Sequence, residues 1–237
     1  MFDFTKRKGF ELKTLNRIEL KEFMIGTLLG DGALRRKNKN QNATYRESHP
    51  LKQKDYLLWK QDILEKNLDI EFFGKDFYNN HGTPCYKIDS RVHPYFTGLY
   101  DSFYPTRIPF ELLYGFKAFN EFGLAVFYMD DGCTDWKKNG NINCCEIHIQ
   151  NYSIDEAMKL QEFLKSRFNF QSKLALVKNN RPKLRIYGEC GRHLLKMITP
   201  IVQEIPCMEY KVNFSKYIEF RKTVECPTSA KTEENVC

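Results

Sequence analysis

Glu22-Phe-Met-Ile-Gly-Thr-Leu-Leu-Gly-Asp-Gly32 and Gly123-Leu-Ala-Val-Phe-Tyr-Met-Asp-Asp-Gly132 are two apolar runs, each closing in Asp-Gly. Their final aspartates, Asp31 and Asp131, stand 100 residues apart. The rest of the chain falls into register around them. After Asp31 comes a basic, polar stretch holding Thr44 and Tyr45, which suits a hairpin. After Asp131 comes Asp135 to Gln150, whose alternating Glu146-Ile-His-Ile-Gln150 predicts a strand. Each half then shows an amphipathic helix, Lys54 to Leu68 and Ile154 to Phe168, the second with Ser153 or Asp155 to cap it. Two strand-like pieces follow in each: Ile70–Phe77 and Cys85–Asp89, then Ser172–Val177 and Leu184–Tyr187. Their connections, Asn79 to Gly82 and Asn179 to Pro182, are rich in turn-forming residues. A helix closes each half, near Pro94–Phe103 and Cys190–Gln203, before an Ile-Pro at 108–109 and 205–206.

From Asp31 to Pro109 is 78 positions and from Asp131 to Pro206 is 75, so the order and the spacing both repeat. That is an internal duplication, expected to pack about a pseudo-twofold axis. The expected boundaries are residues 18–115 for the first repeat, 116–220 for the second and a disordered tail over 221–237.

Each apolar run reads as a helix with glycine, at Gly32 and Gly132, in the left-handed position past its end. The aspartate then sits at the negative end of the helix dipole, at a cost of about 0.3–1 kcal/mol. A lone Asp-Gly is an ordinary turn. Two at matching points of a repeat mark a functional site. The helices are apolar nearly all round (Phe23, Ile25, Leu28 and Leu29; Leu124, Val126, Phe127 and Tyr128), so they belong together at the centre. Gly26, Gly30, Gly123 and Ala125 permit close approach. Crossing there brings Asp31 and Asp131 together, and two near carboxylates repel unless a cation or proton lies between them. Hard oxygen ligands suit Mg²⁺, with Mn²⁺ as a substitute, and a metal between carboxylates suits phosphodiester hydrolysis.

The 237 residues, 42% of them hydrophobic, suffice for a real core. The net charge of +7 permits a nucleic-acid partner without requiring one. Eight cysteines form no C-x-x-C pair, which argues against zinc fingers and predicts reduced thiols in an intracellular compartment. No apolar run is long enough for a bilayer. Met1 to Lys8 holds three basic residues beside Asp3, too little to assign an organelle-targeting peptide.

Leu124 to Gly132 resembles the LAGLIDADG sequence at its first two and last two positions, and Ile25 to Gly32 resembles its latter part. The two-repeat layout over residues 18–220 resembles the single-chain homing endonucleases of that family, the yeast mitochondrial omega-intron type above all. The resemblance implies a mixed α+β fold: an αββαββα unit used twice, whose two four-stranded antiparallel sheets form a saddle over double-stranded DNA. It implies metal-dependent cleavage of both strands across the minor groove at a long, specific site, leaving short 3′ overhangs. It makes Asp31 and Asp131 the metal ligands, with Gly30 and Asp130 beside them; Asp130 also reads as a plain helix-end residue. It makes Lys211, in Ile205 to Lys211, a catalytic candidate. At the matching place the first repeat holds Thr106, with Arg107 one position on as the candidate. Gln150 reads as a residue that orients water, a DNA contact or a solvated side chain.

Seven basic residues against one acidic lie from Arg35 to Lys54, and eight against one from Lys165 to Arg192. On strands, such residues neutralise phosphates or read base edges. The candidates are Arg35, Arg36, Asn38, Asn40, Gln41 and Arg46, then Lys178, Asn180, Arg181, Lys183 and Arg185. A solvated, charge-rich strand face is the plainer alternative for each. An RNA-binding intron maturase or a non-catalytic DNA-binding protein on the same scaffold are the competing functions. Two repeats in one chain predict a monomer, in an organelle or a bacterial or phage-infected cytoplasm.

Overall fold

The computed structural model describes residues 14–104, 119–177 and 180–224. Helix α1 (Arg17–Leu29) leads into strands β1 (Ala33–Arg35) and β2 (Thr44–Pro50), helix α2 (Lys54–Leu68), strands β3 (Phe72–Tyr78) and β4 (Pro84–Ser90), and helix α3 (Pro94–Phe103). The order then repeats: α4 (Glu121–Asp131), β5 (Gly132–Trp136), β6 (Ile142–Ile147), α5 (Ile154–Phe168), β7 (Ser172–Val177), β8 (Arg181–Tyr187) and α6 (Gly188–Val202). A 3₁₀ segment, Pro206–Lys211, and helix α7 (Phe214–Val224) follow. The sheets are antiparallel, with strand orders β1-β2-β4-β3 and β5-β6-β8-β7. These are the two αββαββα units that the resemblance implies, at the places where the duplication sets the repeats.

Local chemistry fixes the helix ends, with capping boxes on two helices that are not repeat mates and left-handed ends on two that are. Asn16 with Glu19, and Ser153 with Glu156, form capping boxes that satisfy the first amides of α1 and α5. Asp69 and Asn169, 100 residues apart, end α2 and α5 at positive φ, 47° and 57°. Both are residue types that tolerate the left-handed region.

Helices α1 and α4 cross at the centre. Every residue from Glu22 to Leu29 and from Gly123 to Met129 is buried. Burial on all sides, instead of along one stripe, is why neither helix is amphipathic. The crossing depends on glycine: a Cβ on Gly26 would meet the Gly123 carbonyl oxygen at 2.3 Å. Helices α2 and α5 cover the inner faces of the two sheets. Alternation along the strands leaves Arg46, Lys87 and Asp89 on the outer face of one sheet, and Cys133, Glu146, Lys183 and Arg185 on that of the other.

Three expectations are corrected. Gly32 and Gly132 are not left-handed; among the described glycines, Gly82, Gly140 and Gly188 hold positive φ. They are glycine because the chain turns straight off the helix end: a Cβ would meet Thr27 Cγ2 at 2.4 Å or the Tyr128 ring at 2.3 Å. The strand expected to end at Gln150 ends at Ile147, because the His148 amide turns to the Asp131 carbonyl (2.8 Å). Helix α7 runs through Arg221 to Val224, and the remainder of the expected tail lies outside the described residues. No described helix is long and apolar enough to cross a membrane, and the six described cysteines carry no disulfide.

Candidate active site

The two motif helices end differently. Helix α1 stops at Leu29, Gly30 caps it, and Asp31 lies beyond in the turn, its side chain 43% exposed. Helix α4 continues through Asp131, and β5 starts at the next residue. Among the described residues, neither the Asp31 nor the Asp131 carboxylate accepts a hydrogen bond, whereas three nearby acids are fully engaged. Burial, then the negative charges of Asp31 and Asp130, push Asp131 up to about 8. A carboxylate held this far from its ordinary ionisation calls for a proton or a cation.

Asp130 is one of the engaged acids. It occupies the position that Gly30 occupies in the first repeat, and its fully buried side chain crosses the seam. Lys60 Nζ reaches its two oxygens at 2.7 and 2.8 Å, the Tyr56 hydroxyl donates at 2.8 Å, and the Asp31 amide donates at 3.2 Å. Gly30 makes the room, since a Cβ there would lie 2.4 Å from the Asp130 side chain.

Behind this contact lies a buried ionic cluster. Lys60 also reaches Glu47 Oε1 at 2.6 Å, as does His49 Nε2, and the Tyr45 hydroxyl donates to the other Glu47 oxygen. His49 Nδ1 contacts Gln53 Oε1 at 3.0 Å and lies 3.9 Å from Asp31. Burial opposes the charge on Glu47 and on Lys60, but the Lys60 charge and then His49 lower Glu47, and the charges of Asp130 and then Glu47 raise Lys60. Burial disfavours His49 protonation, and the Glu47 hydrogen bond and charge reverse that, raising it. In the second repeat the matching residues are Cys145, Ile147, Ile149 and Leu160. The cluster therefore exists once. Sequence reading missed it, although alignment at the 100-residue offset sets Glu47, His49 and Lys60 against core aliphatics.

On the other side, Lys211 is buried and caps α4, its Nζ donating to the Met129 and Asp130 carbonyl oxygens, the latter at 3.0 Å. Burial lowers its pKa against the pull of Asp130, Asp31 and Asp131. A cleft of about 270 Å³ opens here, lined by Asp131, Cys133, His148, Tyr210 and Lys211 among others.

Among the described residues, two groups bring possible ligand atoms within 4.8 Å: Asp31, His49 and Asp130, and Cys133, Glu146 and His148. The second is a poor cradle, because the Glu146 oxygens already receive Lys183 (2.8 Å) and Arg185 (2.7 Å). The first adjoins Asp131, and its free oxygens belong to Asp31. Asp131 is in neither group, but like Asp31 it has a carboxylate that accepts no hydrogen bond among the described residues, and such oxygens are the donors a hard divalent cation takes.

Of the other sequence candidates, Arg107 and Lys178 lie outside the described residues. Gln150 is half-buried in a turn. Arg35, Asn40 and Arg181 are exposed. Arg36 turns back on its own loop, bonding Gln41 O and Lys39 O, and pairs with Asp101 of α3. Asn38 is taken up in the same loop, receiving the Asn40 amide and, at its carbonyl, the Gln41 amide. Asn180 holds a positive φ of 55° in the turn before β8. Arg46 pairs with Asp89 as Arg185 does with Glu146.

Comparison with known proteins places this geometry in context. The family model described as "LAGLIDADG DNA endonuclease family" matches residues 21–194. A DNA endonuclease, I-ChuI of Chlamydomonas applanata, is 25% identical over 211 residues, covering 81% of this chain and 94% of that protein. A RecA protein of Mycolicibacterium chitae is 26% identical over 211 residues, and there the match spans 45% of the relative's length. The homing endonuclease I-WcaI, solved bound to its DNA recognition sequence, superposes with a TM-score of 0.70 at 22% identity, over 84% of this chain and 88% of that one.

Proposed function

This chain belongs to the LAGLIDADG DNA endonuclease family, and from that premise we propose that it cuts both strands of a specific DNA site, using divalent metal held between Asp31 and Asp131. The observation that carries the reading is the pair of carboxylates, free of hydrogen bonds among the described residues, at the crossing of two buried helices, with Asp131 raised to about 8. A cation there supplies an activated water and charge neutralisation at the leaving oxygen. Asp31 and Asp131 hold and orient it, and Asp130, tied to Lys60, frames the site instead of ligating. Lys211 neutralises the negative end of α4 and sets a positive charge beside the reacting phosphate. The outer faces of the two sheets carry the basic residues that would meet the DNA phosphates and base edges across the major groove, leaving the minor groove over the paired aspartates. Cleavage there leaves short 3′ overhangs.

The test is incubation of the purified chain with Mg²⁺ and a plasmid library of genomic or randomised sites, followed by sequencing of the ends. Discrete double-strand breaks at one site, absent with chelator, are expected. Tight binding to DNA or intron RNA with no cutting in Mg²⁺ or Mn²⁺ would overturn the nuclease reading.

A further inference from the structure

We propose that Lys60 is a positioning residue for the composite metal site, acting across the repeat seam through Asp130; this rests on the endonuclease reading above. Lys60 belongs to the first repeat and is fully buried. Its amine is shared between Glu47 of its own repeat and Asp130 of the other, and it lies 4.6 Å from the centre of the Tyr56 ring. The held Asp130 carboxylate then receives the amide of Asp31. One chain of contacts thus links Lys60, Asp130 and Asp31, and Asp131 is the next residue along the main chain from Asp130. By neutralising Asp130, Lys60 keeps that carboxylate on the Asp31 amide and away from the cation that Asp31 and Asp131 would hold.

The cluster sets the carboxylates of Glu47 and Asp130 against the one Lys60 amine, with His49 hydrogen-bonded to Glu47. Removing the lysine leaves the buried Asp130 charge uncompensated beside two further carboxylates, which is costly. Asp130 would then turn toward the cation meant for its neighbours. The position has no counterpart to take over, because the repeat-related residues are Leu160 and Gly30.

The experiment measures Mn²⁺ binding to the full chain by the loss of free-ion paramagnetic resonance, beside the Mg²⁺ dependence of cleavage. Lys60→Met is expected to weaken Mn²⁺ binding about tenfold or more, as loss of groups that orient metal ligands does. Cleavage should fall at low Mg²⁺ and recover substantially when Mg²⁺ is raised. The double variant Lys60→Met/Asp130→Asn keeps an oxygen for the Asp31 amide and leaves no unpaired charge, so it should regain most of the lost affinity, a non-additive outcome. If Lys60→Met does not fold, the double variant alone decides: a folded double variant that has lost Mn²⁺ affinity overturns the proposal. So does a folded Lys60→Met with unchanged affinity, which leaves Lys60 a purely structural role. A wild-type chain that binds no Mn²⁺ and cuts nothing fails earlier, at the endonuclease reading itself.

Discussion

The main-chain N–H of Asp31 donates to the side chain of Asp130, 3.2 Å away and 99 residues along the chain. The two motifs are therefore joined by a polar contact as well as by apolar packing, and they are joined in one direction: the second motif reaches into the first. Around that contact lie one open pair of acids and one closed, fully bonded cluster. Five predictions follow from this division and from the faces around it.

Asp31→Asn and Asp131→Asn should each abolish double-strand cleavage, lowering the single-turnover rate by about 10³-fold or more. Binding of the same duplex in Ca²⁺ should persist. Wild-type cutting by either variant would mean that the two repeats do not share one metal site.

Lys211→Met removes a buried charge facing three acids and leaves the last carbonyls of α4 uncapped. The cleavage rate should drop by about 10²-fold. Rapid-quench kinetics at saturating Mg²⁺ would check it, and a loss confined to Mg²⁺ affinity would assign Lys211 a different role.

Gly30→Ala places a methyl group 2.4 Å from the Asp130 carboxylate. Overpacking of this kind costs about 1–3 kcal/mol, read from the urea midpoint. Unchanged stability would show that Asp130 has another place to go.

Glu22 is buried at the seam, and burial raises it to about 7 against the lowering influence of the Asn120 hydrogen bond. The folded chain thus holds this proton at pH values where the unfolded chain has released it. The associated stability is present below the ordinary value of 4.5 and is lost as pH rises through 7. Glu22→Gln copies the neutral form, so its melting temperature relative to wild type should climb between pH 5 and pH 8. A difference that stays flat over that range contradicts the shift.

Glu146→Gln frees Lys183 and Arg185 from a carboxylate that both now contact. Non-specific DNA affinity should rise, and the slope of log K against log salt should steepen by about one. A slope equal to wild type would mean that these cations do not meet phosphate.

Much of this was legible in the sequence. Helices α2, α3 and α5 lie where their apolar spacing put them, and the 100-residue offset of Asp31 and Asp131 predicted the crossing. What was hidden was polar residues in apolar places. Glu47 and His49 alternate along β2 as a solvent face would, yet they point inward, and Lys60 follows Trp59 on a helix whose charged residues usually face water. Burial of such groups depends on partners distant in sequence, such as Asp130, which no local pattern reports. The glycines after each aspartate misled for a related reason: their role is set by Thr27 and Tyr128 pressing from the preceding turn, not by backbone handedness.

Gly30 opposite Asp130 and Lys60 opposite Leu160 also bear on modularity. A first repeat paired with a copy of itself would face glycine with glycine and strand each lysine on a single acid. A second repeat paired with itself would press two aspartates together with only leucines for company. At this contact each half supplies what the other lacks, as a lock and its key do, so a homodimer of either half alone would be without it.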